Sequence, residues 1–196
     1  AFLERMAAFR VTNPGFDIYS PTTTMLLRDG RRVPLMTGAE WARVRSVTAA
    51  VQMRESSVAQ VSLVAREVFD RVGGYRPVYS EDYDFWLRAL ISGARQVQNP
   101  EALWVYRRQE GSKTTALVRE AESILQILTD ARAMSGLSAE DRAACDEAIA
   151  FARARIGRRQ LEEALLRGEY AGARGAYLRH RRAFAGVAKY VLGGAA

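Results

Sequence analysis

Apolar positions at the start of the chain recur at helical spacing. Phe2, Leu3, Met6 and Phe9 share one stripe and Asn13-Pro14-Gly15 stops it, which predicts a helix over residues 1–11. The period then shortens. Phe16 to Tyr19 and Met25 to Arg28 read as short strands, with Asp29-Gly30 as a turn before Arg31-Arg32-Val33. Residues 37–54 read as helix and loop, and Ser57 to Leu63, alternating small and apolar residues, as a strand. Arg66 to Val72 form an amphipathic turn that Gly73-Gly74 ends, because glycine accepts the positive φ of a helix C-cap. After Pro77, Ser80 is a good N-cap for a helix whose apolar members Tyr83, Trp86, Leu87, Leu90 and Ile91 keep the spacing of one face, and Gly93 closes it.

Arg95 to Gln98 and Ala102 to Arg107 read as two strands around an Asn99-Pro100 turn. The consecutive run from Leu103 to Tyr106 suits a strand covered on both faces. Beyond Gly111-Ser112 only helical periodicity remains, over residues 114–135, 138–167 and 169–191, interrupted at Ser135-Gly136 and Arg167-Gly168. The pattern therefore predicts an α/β class: a mixed part over residues 1–112, then an all-helical extension over residues 113–196.

Composition narrows the picture. At 196 residues, 48% apolar and 26% charged, the chain has the make-up of a globular protein with room for a sizeable core. Residues 1–150 hold 19 basic and 19 acidic side chains, whereas residues 151–196 hold 10 and 3, so the whole net charge of +7 lies in the last stretch. A protein that coats nucleic acid would be basic throughout, so nucleic acid is not an expected partner. One cysteine, Cys145, and one histidine, His180, build neither a disulfide framework nor a nitrogen and sulfur metal cage. The longest apolar runs fall short of a membrane span, and the expected location is cytoplasmic, with the option of peripheral contact at the inner face of the cell membrane. The chain opens at Ala1 in mid-helix pattern, which we read as the start of a fragment.

Three motifs carry the candidate chemistry. Arg66-Glu-Val-Phe-Asp-Arg-Val-Gly-Gly-Tyr75 is followed by Tyr79-Ser-Glu-Asp-Tyr-Asp-Phe-Trp-Leu-Arg88 and then by Leu103-Trp-Val-Tyr-Arg-Arg-Gln109. In order and spacing the set resembles the acceptor-side half of family 2 glycosyltransferases, well over residues 57–112, less over 1–56 and only generally beyond. The resemblance implies a partial GT-A domain over residues 1–112 and an inverting enzyme of cell-envelope polysaccharide synthesis or a related pathway. Such an enzyme moves a sugar from a nucleotide-diphosphate donor to a hydroxyl on a glycan, polysaccharide or lipid-linked acceptor. It further implies that Asp82 is the general base, with Glu81 beside it, that Gly73, Gly74 and Trp86 meet the acceptor, and that Arg107, Arg108 and Gln109 approach the donor diphosphate.

A carboxylate suits the base role, because it need only take the proton of the acceptor hydroxyl as that oxygen attacks the anomeric carbon. The family's metal motif and nucleotide-binding strands precede a helix like residues 1–11. The complete enzyme is thus expected to use Mg or Mn, no metal ligand is assignable in this chain, and the isolated chain is expected to lack turnover. Asp82-Tyr83-Asp84 spells the metal motif but follows a Pro-containing loop and opens a helix, where the motif should follow a buried strand. Gln109 replaces the usual histidine, and an amide is a poorer ligand than imidazole.

Ordinary structural roles compete with each of these. Acidic side chains in a first helical turn gain ~0.3–1 kcal/mol from the helix dipole, which accounts for Glu81 and Asp82 without catalysis. Asp84 and Arg88, at i and i+4, have the spacing of an exposed ion pair contributing ~0.2–0.5 kcal/mol. Trp86 and Tyr83 belong to an apolar stripe that suits core packing, and Gly73-Gly74 alone is a helix stop. Ser56-Ser57 and Arg66 fall where the family lines its acceptor cleft, although small hydroxyl residues also suit a loop. Ser112 and Lys113 would sit in a loop closing over the donor. His180, set among arginines, reads as a lone surface histidine. The basic helix over residues 169–191 reads either as a hairpin packed on the rest of the chain or as an interfacial helix on anionic lipid. A non-catalytic basic module docking on anionic membrane or nucleic acid is the alternative function.

Overall fold

The structure is a computed structural model that describes residues 2–27, 29–34, 45–107 and 117–191, with side chains up to Arg181 in the last stretch. Four strands and seven helices are described in chain order: α1 (Phe2–Thr12), β1 (Ile18–Leu26), β2 (Arg32–Pro34), α2 (Ala49–Glu55), β3 (Leu63–Val64), α3 (Arg66–Val72), α4 (Glu81–Ile91), β4 (Gln96–Arg107), α5 (Leu117–Arg132), α6 (Ala139–Leu166) and α7 (Tyr170–Val191). The class is mixed α/β. No helix among the described residues is long and apolar enough to cross a membrane.

β1 organises the sheet. It pairs antiparallel with β2 near its C-terminal end and with β3 near its N-terminal end, and β4 runs parallel along its whole length. A parallel pair needs a crossover, and the chain between β1 and β4 supplies it with α2, α3 and α4. The short strands expected at Phe16–Tyr19 and Met25–Arg28 are thus one strand, and so are the two expected around Asn99-Pro100. Prolines mislead here because both lie where pairing slips. Pro21 faces Asn99, while the next β1 residue, Thr22, faces Ala102, so β4 bulges at Pro100, which has no N–H to donate. The strand expected over Ser57 to Leu63 shrinks to Leu63–Val64.

The outer half of β4 is not covered on both faces, since Val105 is exposed. Leu103 points to a small cluster with Met6, Tyr19 and Val97, where α1 lies on the sheet. The main core is continuous across residue 112. It joins Ile18, Val68, Phe85, Trp86 and Leu87 to Ile127 and Leu128 of α5 and to Ala144, Cys145, Ala148 and Ala152 of α6. Apolar faces of α5 and α6 therefore bury against α2 and α4 instead of forming a core of their own. α7 packs back along α6, and His180 is a packing residue of that seam, not a solvated one. Its side chain covers Gly157, where a Cβ would collide with it, and its Nε2 lies 3.2 Å from Gln160 Oε1.

Candidate functional site

The N-terminus of α4 opens onto a cleft of about 590 Å³. One wall is the segment Tyr79 to Tyr83, which carries Glu81 and Asp82, and beside it lie Ser56 to Gln60, the loop that leaves α2. The same cleft is lined by Trp104 and Tyr106 of β4, Thr23 and Met25 of β1, Gln98, and Glu120 and Ile124 of α5. The bulges in β4 do not disturb the alternation of its outer end, so Trp104 and Tyr106, two positions apart, share a face. Their rings meet edge to face with centroids 5.8 Å apart.

Local chemistry positions the acidic pair. Ser80 does not cap α4 with its side chain, contrary to its sequence signature. Its backbone turns toward α5 instead, and its N–H donates to Ser123 Oγ at 3.2 Å, which ties the acidic turn to the helical part of the chain. Asp82 Oδ1 accepts from the Tyr83 N–H at 2.8 Å. Both Glu81 and Asp82 are partly exposed to the cleft. Tyr75, half-exposed, feels them: partial burial first, then the negative charges of Asp82 and Glu81, raise its phenol above the usual value.

Asp84 behaves differently from its neighbour two positions back. Its side chain is 0% exposed and lies between two arginines, so the expectation of an exposed pair with Arg88 is corrected to a buried carboxylate held by Arg88 from within and by the partly exposed Arg76. Arg88 Nε donates to Asp84 Oδ2 at 2.9 Å, and Arg76 Nε donates to the same carboxylate at 3.0 and 3.1 Å. Arg88 also donates to the carbonyls of Val72 and Gly74, the latter at 2.7 Å. Burial pushes the Asp84 carboxyl up, but the hydrogen bonds and charges of Arg76 and Arg88 outweigh it and hold the group below its ordinary value. With both of its oxygens engaged by guanidinium groups, Asp84 does not converge with Asp82 on a cation. Among the described residues, no group of three His, Cys, Asp or Glu side chains is placed to hold a metal ion.

Trp86 is 1% exposed and packs edge-on against Phe85, so it offers no face to a ligand; its membership of the helix's apolar stripe decides its place. Gly73 and Gly74 also lie outside the cleft walls. Both have the positive φ that α3 needs to end, and a Cβ on Gly74 would press on the Phe69 ring at 3.0 Å. Arg107 stands at the exposed end of β4 opposite Leu26, near the cleft but not in its walls. Arg108, Gln109, Ser112 and Lys113 fall outside the described residues. The structure thus brings Glu81, Asp82, Ser56 and Ser57 together and adds Trp104, Tyr106 and Gln98. The sequence signal for the two aromatics was their i, i+2 spacing on one strand.

A buried amide layer adjoins Gln98 of the cleft lining. Gln96 Nε2 donates to Ser20 Oγ at 3.0 Å and to Gln98 Oε1 at 3.1 Å, and its Oε1 accepts from the Val47 N–H at 2.7 Å. Such a satisfied polar layer fixes the relation of β1, β4 and the segment before α2. No family model, no curated protein and no solved structure matches the chain.

Proposed function

We propose that the chain is the acceptor-side part of an inverting glycosyltransferase of the GT-A type and that Asp82 is its general base. The observation that carries this reading is that Asp82 and Glu81 line the same cleft as the Trp104–Tyr106 pair. Aromatic faces suit the C–H faces of a sugar, and a partly exposed carboxylate beside them suits an acceptor hydroxyl. In the step proposed, the acceptor oxygen forms a bond to the anomeric carbon of the donor sugar and its proton passes to Asp82. The bond from that carbon to the diphosphate oxygen breaks, with the electron pair leaving on the diphosphate. Attack opposite the leaving group inverts the configuration. Arg107, exposed at the end of β4, would supply positive charge for the phosphate oxygens of the donor. Loss of transfer in Asp82→Asn tests the assignment.

A second reading concerns the helical hairpin and is compatible with the first. Leu166 is 89% exposed and Tyr170 75% exposed at the turn between α6 and α7, and the exposed side chains of Arg167 and Arg174 flank them. Apolar side chains beside arginines suit shallow docking on an anionic membrane, which would bring the cleft to a lipid-linked acceptor.

A further inference from the structure

A second cleft, of about 460 Å³, lies between α2, α5 and α6. Its lining is mainly apolar, with buried Met53 and Leu128 and with Phe151, 53% exposed, and it carries Arg54, Glu55, Glu147 and Arg155 as its charged members. Alanines at 121, 148 and 152 leave the space open where larger side chains would fill it. The two clefts share Ser56, Tyr83 and Ile124 in their linings, so this space adjoins the one that Asp82 lines. Glu120 of the first cleft pairs with Arg155 of the second at 3.2 Å, which ties the two linings together. Ser56, at φ +49°, is the left-handed C-cap that ends α2, its N–H donating to the Gln52 carbonyl at 3.0 Å, so the end of that helix sits between the two clefts. Both arginines of the second cleft are already neutralised, Arg155 by Glu120 and Arg54 by Glu147 at 3.0 Å. An anionic ligand would find its cations taken, whereas a neutral apolar chain would not.

We propose that the second cleft holds the apolar chain of an amphipathic acceptor, a long alkyl or prenyl group whose hydroxyl-bearing head lies in the first cleft beside Asp82. The identity of the head rests on the sugar-transfer reading; binding of the chain does not.

Calorimetric titration of the 196-residue protein with hexyl, octyl and decyl glucosides, kept below micelle formation, tests it. Affinity should rise about fourfold per added methylene until the cleft is full. Ala152→Met, which fills the cleft, and Phe151→Ser, which removes an apolar side chain from its lining, should each lower decyl glucoside affinity at least about tenfold and flatten the chain-length series. Val11→Ser, on the exposed face of α1 and in the lining of neither cleft, should leave the affinity unchanged. If Ala152→Met fails to fold, Phe151→Ser decides alone, because its site is exposed. An affinity indifferent to chain length overturns the proposal, as does an equal loss in Val11→Ser. So does a dimer that Phe151→Ser dissociates, since a second copy would then be the occupant. Chain-length dependence without sugar transfer by the complete gene product would remove the transferase reading and keep the apolar site; transfer without chain-length dependence would do the reverse.

Discussion

Arg88 Nη2 donates to the carbonyl oxygen of Gly74 at 2.7 Å, so the helix that begins with the candidate base is fastened, two turns later, to the glycine turn before it. The same guanidinium holds Asp84, and the acidic motif therefore divides its labour. Asp82 faces the cleft and Asp84 secures the turn.

Removing Arg88 should cost more than its i, i+4 spacing suggests. Arg88→Met leaves a buried carboxylate with Arg76 as its remaining partner and strips two carbonyls of their donor. We expect a loss of about 3–5 kcal/mol, as for breaking a buried ion pair, against under ~0.5 kcal/mol for an exposed one. Urea unfolding of the variant and wild type measures the difference.

The Asp84 carboxyl also sets an acid limit. Its folded pKa is depressed below the ordinary 3.8, so its stabilisation is present above that value and is lost as pH falls through the lower folded one. Wild-type stability should drop steeply below about pH 4. Asp84→Asn should be less stable at pH 7 and show a shallower acid dependence, so that the two curves converge in acid. Urea midpoints at pH 7, 4 and 3 would show the convergence.

The two tryptophans of the motifs should separate cleanly. Trp86→Ala should destabilise the fold by about 3–5 kcal/mol, as expected of a buried aromatic. Trp104→Ala should leave the fold largely intact and weaken saccharide binding several-fold, in keeping with ~0.5–1.5 kcal/mol for an aromatic contact. Thermal unfolding with saccharide titration distinguishes fold from site.

Gly157 admits His180 so closely that a side chain there must push α6 and α7 apart. Gly157→Val should cost about 1–3 kcal/mol by overpacking and raise amide exchange in α7 without altering α4. Hydrogen exchange resolved by peptide would read both.

Membrane docking through the hairpin turn should depend on charge and on two apolar side chains. Co-sedimentation with anionic vesicles should fall as salt rises and fall further in Leu166→Ser with Tyr170→Ser, while neutral vesicles should retain little protein. Retention that ignores both salt and these substitutions would remove that reading.

Helical parts of the fold were legible because their apolar stripes and glycine stops are local signals. α1, α3, α4 and the three C-terminal helices fall within a few residues of their expected positions. The strands were harder. Pro21 and Pro100 look like breaks in sequence, yet they sit at register shifts that only pairing with another strand creates. In the site, Glu81 and Asp82 stood out by motif, and Ser56-Ser57 by position. Trp104 and Tyr106 did not, because their face is chosen by the path of β4 past β1. Asp84 was misread for a related reason: i, i+4 spacing shows that Arg88 can reach it, but the arrival of Arg76 and the burial of the carboxylate are tertiary. Residues 108–116, which hold the remaining donor-side candidates, lie outside the described part of the chain.

Asp82 as the general base is the centre of the account. The most direct measurement is sugar transfer by the complete gene product, wild type beside Asp82→Asn, with acceptor binding followed in parallel. A general base typically contributes 10²–10⁴-fold, so the rate should fall by about that factor while acceptor affinity stays close to wild type. A variant that transfers sugar at the wild-type rate would contradict the account.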